Sequence, residues 1–265
     1  MSRIEIDGTE RAGFAVGGGA GNRGALRTAG VSAALRLLAM TTPWVEPELL
    51  GLRRLVRPGD VCIDVGAALG IYTAVLADLV GRQGIVHSVE PLRFAHPVIG
   101  ALLRPRVGAN VRRHAVALGA QRGGSVMNVP MRSGHLITGR SFVAAGSDGL
   151  GSNVEFDRHV QVQVPTETLD DFCAEHGVDR LDFVKADVEG GELRLLHGGA
   201  RTIKRCRPTL LLELEDRHTA RFGYPASAAV DWLAEHGYRM SLWRNGSWQP
   251  VDRITPQYRN YLFRT

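Results

Sequence analysis

Cysteine is scarce in this chain: Cys62, Cys173 and Cys206 are the only three among 265 residues, and their spacing fits neither a zinc site nor a disulfide framework. That excludes a disulfide-stapled secreted scaffold and suits a reducing compartment. Long apolar runs are missing too. No segment offers roughly 18 apolar residues free of charge, and the N-terminus "MSRIEIDGTERAGFAVGGGAG" has no basic stretch leading into an unbroken apolar one. A cytoplasmic protein without a membrane span is expected. Although the net charge is +5, Lys/Arg blocks and aromatic-interleaved RNP patterns are also lacking. The arginines are scattered, paired only in places such as "LRRLV" and "NVRRH", which reads as solvated surface able to draw an anionic ligand; no nucleic-acid partner is expected. No repeat of solenoid or propeller period occurs.

What is present is 44% hydrophobic and 22% charged sequence, enough for one main domain with a substantial core plus an appendage. Residues 1–40 form the appendage, Gly-rich in "GGGAGNRG" and ending in a short helix "VSAALRLLAM"; residues 41–265 form the domain. "EPELLGLRRLV" predicts a helix, "VCIDVG" a strand, "IYTAVLADLV" a helix with Gly81 just past its end, and "GIVHSVEP" a strand. "FAHPVIGALLRPRV" is helical in part, and "NVRRHAVALG" is a third strand. This alternation predicts an α/β fold with a doubly wound, mostly parallel sheet. An insertion at about 119–165 departs from it: "GSVMNVPM" and "HVQVQVP" alternate with period two around the Gly/Ser-rich "VAAGSDGLGSN", an antiparallel excursion whose loop can lie over a site. "TLDDFCAEHGV" then reads as a helix with Thr168 as N-cap, "LDFVKAD" as a strand, "GELRLLHGGARTIKRC" as one helix, "PTLLLELE" as a strand, and "SAAVDWLAEHG" as a helix. "YRMSLWR" and "YLFRT" close the chain as strands.

"DVGAALG", Asp64 to Gly70, sits where the first strand meets its helix, the place at which doubly wound sheets bind ligands. Gly66 and Gly70 let backbone approach a ligand, and Glu90, ending the next strand, has two acceptor oxygens to match a ribose diol. A dinucleotide wants G-x-G-x-x-G, whereas this loop is led by an acid that repels pyrophosphate and tolerates a cationic ligand such as S-adenosylmethionine. Asp64 and Glu90 as mere strand-end caps is the bland alternative.

"VKADVEGGE", Val184 to Glu192, gathers Asp187, Glu189 and Glu192 in one turn after an apolar strand. Asp187 ends that strand in the ligand crevice. Glu189 and Glu192 open a helix, where acids interact favourably with the macrodipole by about 0.3–1 kcal/mol; for Glu192 a structural and a site role remain open. Gly190 and Gly191 indicate close approach to a ligand or a neighbouring strand. In "LLLELED", Glu213 and Glu215 share a strand face. Asp187 and Glu213 suit Mg²⁺ or Ca²⁺, but two carboxylates do not define a site, and no metal ligand is assigned. His218 is a candidate base near neutral pH, His135 and His159 weaker ones. Trp44, Glu46 and Glu48 lie at an edge where they either line the site or anchor a helix.

"GDVCIDVGAALGIYT", "VHSVEP", "TLDDF", "LDFVKADVEGGELRLLHGGA" and "RPTLLLELE", in this order over about Glu46 to Glu215, resemble the FkbM family of S-adenosylmethionine-dependent methyltransferases. The resemblance implies a Rossmann-like class I methyltransferase fold with a seven-stranded sheet ending in an antiparallel hairpin, and methyl transfer to oxygen of a small-molecule or glycosidic acceptor such as a sugar of a glycolipid, antibiotic or polysaccharide. It implies cofactor contacts at Asp64, Gly66, Gly70, Glu90, Val116 and Ala117 and points to Glu213 as the family's usual acid; with Asp187, placed beside the cofactor by its strand end, and His218, both read from the residues themselves, Glu213 makes up the catalytic candidates. Two departures stand out: Ala186 replaces the family's usual β-branched residue, and the third strand offers no acid for the adenine amine. The rival readings are a nicotinamide-dependent oxidoreductase and a noncatalytic cofactor-binding protein. Neither acceptor identity nor oligomeric state is written in the sequence.

Overall fold

Five short apolar strands rich in β-branched residues and leucine build the centre of the molecule, each too hydrophobic to leave either face in water. The structure, a computed structural model, describes residues 21–42, 45–92, 109–156 and 158–265. In chain order the strands are β1 (Val61–Val65), β2 (Ile85–Val89), β3 (Val111–His114), β4 (Ala117–Gly119), β5 (Gly123–Arg132), β6 (His135–Leu136), β7 (Phe142–Val143), β8 (Arg158–Thr168), β9 (Phe183–Ala186), β10 (Thr209–Glu213), β11 (Arg239–Arg244), β12 (Ser247–Pro250) and β13 (Asn260–Arg264). The helices are α1 (Gly21–Thr41), α2 (Ile71–Val80), α3 (Leu169–Glu175), α4 (Glu192–Gly198), α5 (Ala200–Cys206), α6 (Asp216–Thr219) and α7 (Ser227–Glu235).

The main sheet runs β12-β11-β13-β10-β9-β1-β2-β3. From β3 to β10 its neighbours are parallel; β13, β11 and β12 pair antiparallel. Eight strands therefore stand where seven are expected, because "NGSW" turns the chain back so that β12 pairs with β11. Strand alternation divides the core. Ile63, Val65, Val184 and Leu210 pack with α3, α4 and α7 on one face, while Cys62, Phe183 and Leu211 pack with α2 on the other. Helix α1 lies against α2, tied by an Arg36–Asp78 ion pair at 3.0 Å. No described helix is long and apolar enough to cross a membrane.

Close packing at glycines and strand pairing mark three local differences from the sequence reading. "EPELLGLRRLV" forms two 3₁₀ turns, Pro47–Leu50 and Leu52–Arg54, that meet at Gly51, where a side chain would overlap the rings of Trp243 and Trp248. The helix expected from "GELRLLHGGARTIKRC" divides into α4 and α5 where Gly198 abuts the carbonyl of Gly119 and Gly199 abuts Leu169. "NVRRHAVALG" is two strands: β3 joins the main sheet, and β4 leaves it to pair with β8 in a second, five-stranded sheet. That second sheet is the insertion, an antiparallel β5–β8 ribbon with β6 and β7 on β5. The expected helix in 94–107, Trp44, and residues 1–20 lie outside the described residues.

Candidate active site

An open cleft lies at the carboxyl ends of β1, β2 and β9, between the main sheet and the insertion; Gly66, Glu90, Ala117, Ser141, Asp187 and Phe222 are among its walls. This is the position that the crossover pattern of a doubly wound sheet leaves open.

On the β1–β2 side the loop after β1 is tightly specified. Gly66 has φ +74, and a Cβ there would overlap the carbonyl oxygen of Asp187, so glycine is required by the approach of β9 as much as by any ligand. Gly70, with φ +78, precedes α2 and is not part of the cleft wall. Glu90 receives the backbone N–H of Ala68 on Oε2 at 3.0 Å and that of Leu92 on Oε1 at 2.8 Å. Each oxygen retains a further lone pair toward the cleft. Burial lifts the Glu90 carboxyl to about 7, against the opposing pull of those two N–H groups. Val116 and Ala117 line the cleft as well. Asp64 does not: it is 2% exposed beneath the loop, where the Thr73 hydroxyl donates to its Oδ2 at 2.5 Å, and burial raises its carboxyl to about 6.

The acidic turn separates its three carboxylates. Asp187 ends β9, its side chain 34% exposed toward the cleft, its backbone N–H bonded to Val65 O at 3.0 Å. Glu189 also faces the cleft, although it is buried and held in the left-handed region at φ +55. Glu192 is 1% exposed in the first turn of α4, and its Oε1 accepts from the N–H of Val188 at 3.0 Å; burial raises it to about 7. It ties the turn down. Gly190 packs against the backbone of His218, and Gly191 lines the cleft.

His218 lies off the cleft wall, 2% exposed, its Nδ1 against Glu189 and its Nε2 3.6 Å from Glu215. Burial pulls its pKa down, and the two carboxylates outweigh this and raise it. Such a ring orients Glu189 and is poorly placed to take a proton from a ligand. His135 and His159 bond to Ser133 O and Asn128 Oδ1 in the insertion, away from the cleft.

The register of β9 with β10 pairs Lys185 with Leu211, so two residues further on Asp187 and Glu213 are neighbours on the α2 face. Burial, then the charge and hydrogen bond of Asp187, hold the Glu213 carboxyl well above the usual range. Two further residues complete this group: Glu46, which the sequence leaves between lining the site and anchoring a helix, and Lys185, which sequence reasoning missed. Glu46 brings a carboxylate oxygen within 4.8 Å of those of Asp187 and Glu213, and its Oε2 accepts from the Tyr72 hydroxyl at 2.5 Å. Lys185, 1% exposed, stands 3.9 Å from Asp187 and donates to Asn260 Oδ1 at 2.9 Å. A lysine in the middle of an apolar strand was the available signal for it.

The Methyltransferase FkbM domain model matches residues 64–240, two thirds of the chain. The chain belongs to the FkbM methyltransferase family. Its cofactor is accordingly S-adenosylmethionine. Among curated relatives, this FkbM-family chain is 23% identical over 226 residues to the AMB antimetabolite synthetase AmbE of Pseudomonas aeruginosa, covering 74% of the chain and 10% of that protein. It is 32% identical over 80 residues to the 2-O-methyltransferase NoeI of Sinorhizobium fredii, covering 30% of the chain and 32% of that protein. The chain thus spans a tenth and a third of the lengths of these two relatives. Among solved structures it is similar to a methyltransferase FkbM from Methylobacillus flagellatus, with 16% identity, a TM-score of 0.47, and coverage of 92% of this chain and 59% of that one.

The cleft's donor set fits the cofactor of the FkbM family. Glu90, Asp187 and Glu189 place carboxylates on its wall, unfavourable for a pyrophosphate and favourable for a sulfonium and an ammonium. The two arginines of the wall are committed elsewhere, Arg194 to the carbonyl of Ala145 and Arg122 to Glu175.

Proposed function

We propose that this chain is an O-methyltransferase acting on a hydroxyl of a small-molecule acceptor, a sugar hydroxyl foremost. The observation that carries the reading is Asp187: a carboxylate ending a buried parallel strand, open to the cleft, with Glu213 beside it. The similarity to NoeI, a 2-O-methyltransferase, supports oxygen as the atom methylated. The methyltransferase unit in this reading is residues 41–265, including the insertion at 119–165, with 1–40 an extension.

S-adenosylmethionine, when bound, supplies an electrophilic methyl on a sulfonium that leaves as a neutral sulfide and needs no acid. The residues assigned to hold it are Gly66, Glu90, Val116 and Ala117, with Glu90 accepting from the ribose hydroxyls through its remaining lone pairs. Asp64 acts one layer below, bracing the loop through Thr73, and Gly70 sets the start of α2. An alcohol is too weakly acidic to attack at neutral pH, so Asp187 takes the hydroxyl proton at a carboxylate oxygen as the bond forms. Glu213, kept protonated by burial and by its neighbour, donates to Asp187 and fixes its orientation. His218 positions Glu189, which faces the acceptor side of the cleft. Alignment of oxygen, methyl carbon and sulfur is left to the cleft walls.

A calorimetric titration separates this reading from its rivals. S-adenosylhomocysteine is expected to bind one to one and NAD(P)H to give no heat. Binding of NAD(P)H alone would replace the methyltransferase by an oxidoreductase.

A further inference from the structure

Beneath the cleft, the Glu46–Asp187–Glu213 cluster has a geometry that the transfer reading does not use. The three residues come from the segment before β1, the end of β9 and the end of β10, and one oxygen from each lies within 4.8 Å of the others. Two oxygens on one ion are separated by at most twice the metal–oxygen distance, about 4.2 Å for Mg²⁺ and about 4.6–5.2 Å for Ca²⁺. The spacing meets the calcium limit as it stands and the magnesium limit after a small closure.

The charges around the cluster are unbalanced. Lys185 is the buried cation facing Asp187, Glu46, Glu213 and Asp64. It spends its hydrogens on Asn260 Oδ1 at 2.9 Å and the carbonyl of Ala186 at 3.3 Å, and stands 3.9 Å from Asp187, beyond hydrogen-bond reach. Glu48 supplies a separate observation. It is 5% exposed, Oε2 has no hydrogen-bond partner, and its carboxyl faces Glu46, Lys185 and the mostly exposed Arg259. An unpartnered buried carboxylate oxygen beside Glu46 of the cluster is costly unless a cation or a proton answers it.

We propose that Glu46, Asp187 and Glu213 form a binding site for a hard divalent cation, Mg²⁺ or Ca²⁺, with Glu48 as an outer partner. The ligand types are those such ions take, carboxylate oxygens without nitrogen or sulfur. Because Asp187 belongs both to the cluster and to the cleft wall, the ion's open positions face the cleft, where neighbouring hydroxyls of an acceptor can complete its shell. That role rests on the O-methyl reading above; the ion site itself does not, and a bound ion would take the place of the proton that Glu213 carries in the ion-free chain.

Calorimetric titration of the full chain with MgCl₂ and with CaCl₂ tests it, with S-adenosylhomocysteine titrated in parallel. One ion per chain is expected. Glu46→Gln, which can still accept from Tyr72, and Glu213→Gln should weaken ion binding by at least the roughly 10–100-fold that an outer-shell partner is worth, with S-adenosylhomocysteine affinity within a few-fold of the parent. Electron paramagnetic resonance of added Mn²⁺ gives a readout needing no variant: bound Mn²⁺ displaced by Mg²⁺ or Ca²⁺ supports the site. An unchanged free-Mn²⁺ signal, no heat from either salt, or affinities unchanged in both variants overturns it. S-adenosylhomocysteine binding without ion binding removes the ion and leaves the methyltransferase; ion binding without S-adenosylhomocysteine binding does the reverse.

Discussion

At the scale of single residues, the account turns on which carboxylates face the cleft. Asp187→Asn removes the proton acceptor and should lower kcat by about 10²–10⁴-fold, with S-adenosylhomocysteine affinity changed little; steady-state rates and calorimetry on one preparation read both. Glu90 gives a pH signature. With its carboxyl raised to about 7, protonation on the acid side removes an acceptor for the ribose hydroxyls, so cofactor affinity should fall as pH drops through about 7. Glu90→Gln should bind more weakly and without that slope; a parent chain whose affinity is flat from pH 6 to about pH 8 would remove Glu90 from the ribose. Both residues were legible in the sequence because an acid ending an apolar strand has one place to go, the crevice. Glu46 was legible only as an edge residue that lines the site or anchors a helix, since its meeting with Asp187 and Glu213 is made by packing of distant segments, as where Gly51 lies against Trp243 and Trp248. The setting of His218 between two carboxylates was hidden for a related reason: its sequence neighbours reveal Glu215 but not the more distant Glu189.

At the scale of elements, caps and close approaches set where strands and helices end. Thr168 is the N-cap of α3, its Oγ1 accepting from the N–H of Asp171 at 3.0 Å, as the sequence signature predicts. Thr168→Ala should cost about 1 kcal/mol, read as a lower urea midpoint with unchanged m. Gly66→Ala is the severer change: the left-handed backbone alone costs about 1–3 kcal/mol, and the overlap with the carbonyl of Asp187 must also be relieved by shifting β9. Loss of cofactor binding together with a lower melting temperature is expected; a variant with parent stability would contradict the close approach. Hydrophobic period and turn residues were enough to find β1, α2, β2, α3, β9, β10 and α7. They failed where one run serves two partners. "NVRRHAVALG" reads as one strand because no glycine or proline interrupts it before Gly119, yet β3 pairs with β2 and β4 with β8, and only tertiary pairing divides them.

For the molecule as a whole, the buried acids dictate how stability responds to pH. Glu48, Glu90 and Glu192 stand near 7 and Asp64 near 6, raised by burial from 4.5 and 3.8. Between those ordinary values and the raised ones the folded chain holds more protons than the unfolded chain, so stability falls as pH rises. His87 and His114, lowered by burial from 6.5 to about 4 and about 3, act oppositely below 6.5 and are silent above it. His218, held above 6.5, adds to the fall. The melting temperature should therefore drop from pH 6.5 to about pH 8, and a scan in which it climbs over that range would refute the assignment. The overall architecture was readable because the βα alternation and the terminal strands are local patterns, while the contribution of the insertion to the cleft, through Met127 and Ser141, emerges only once two sheets meet. The central claim, methyl transfer to oxygen with Asp187 as the proton acceptor, is tested most directly by incubating the chain and its Asp187→Asn variant with methyl-labelled S-adenosylmethionine and a panel of glycosides, and locating the label by mass spectrometry. The account predicts label on an acceptor oxygen with the parent chain and little or none with the variant, although the variant still binds S-adenosylhomocysteine. Equal labelling by both proteins, or label on nitrogen or carbon, would contradict it.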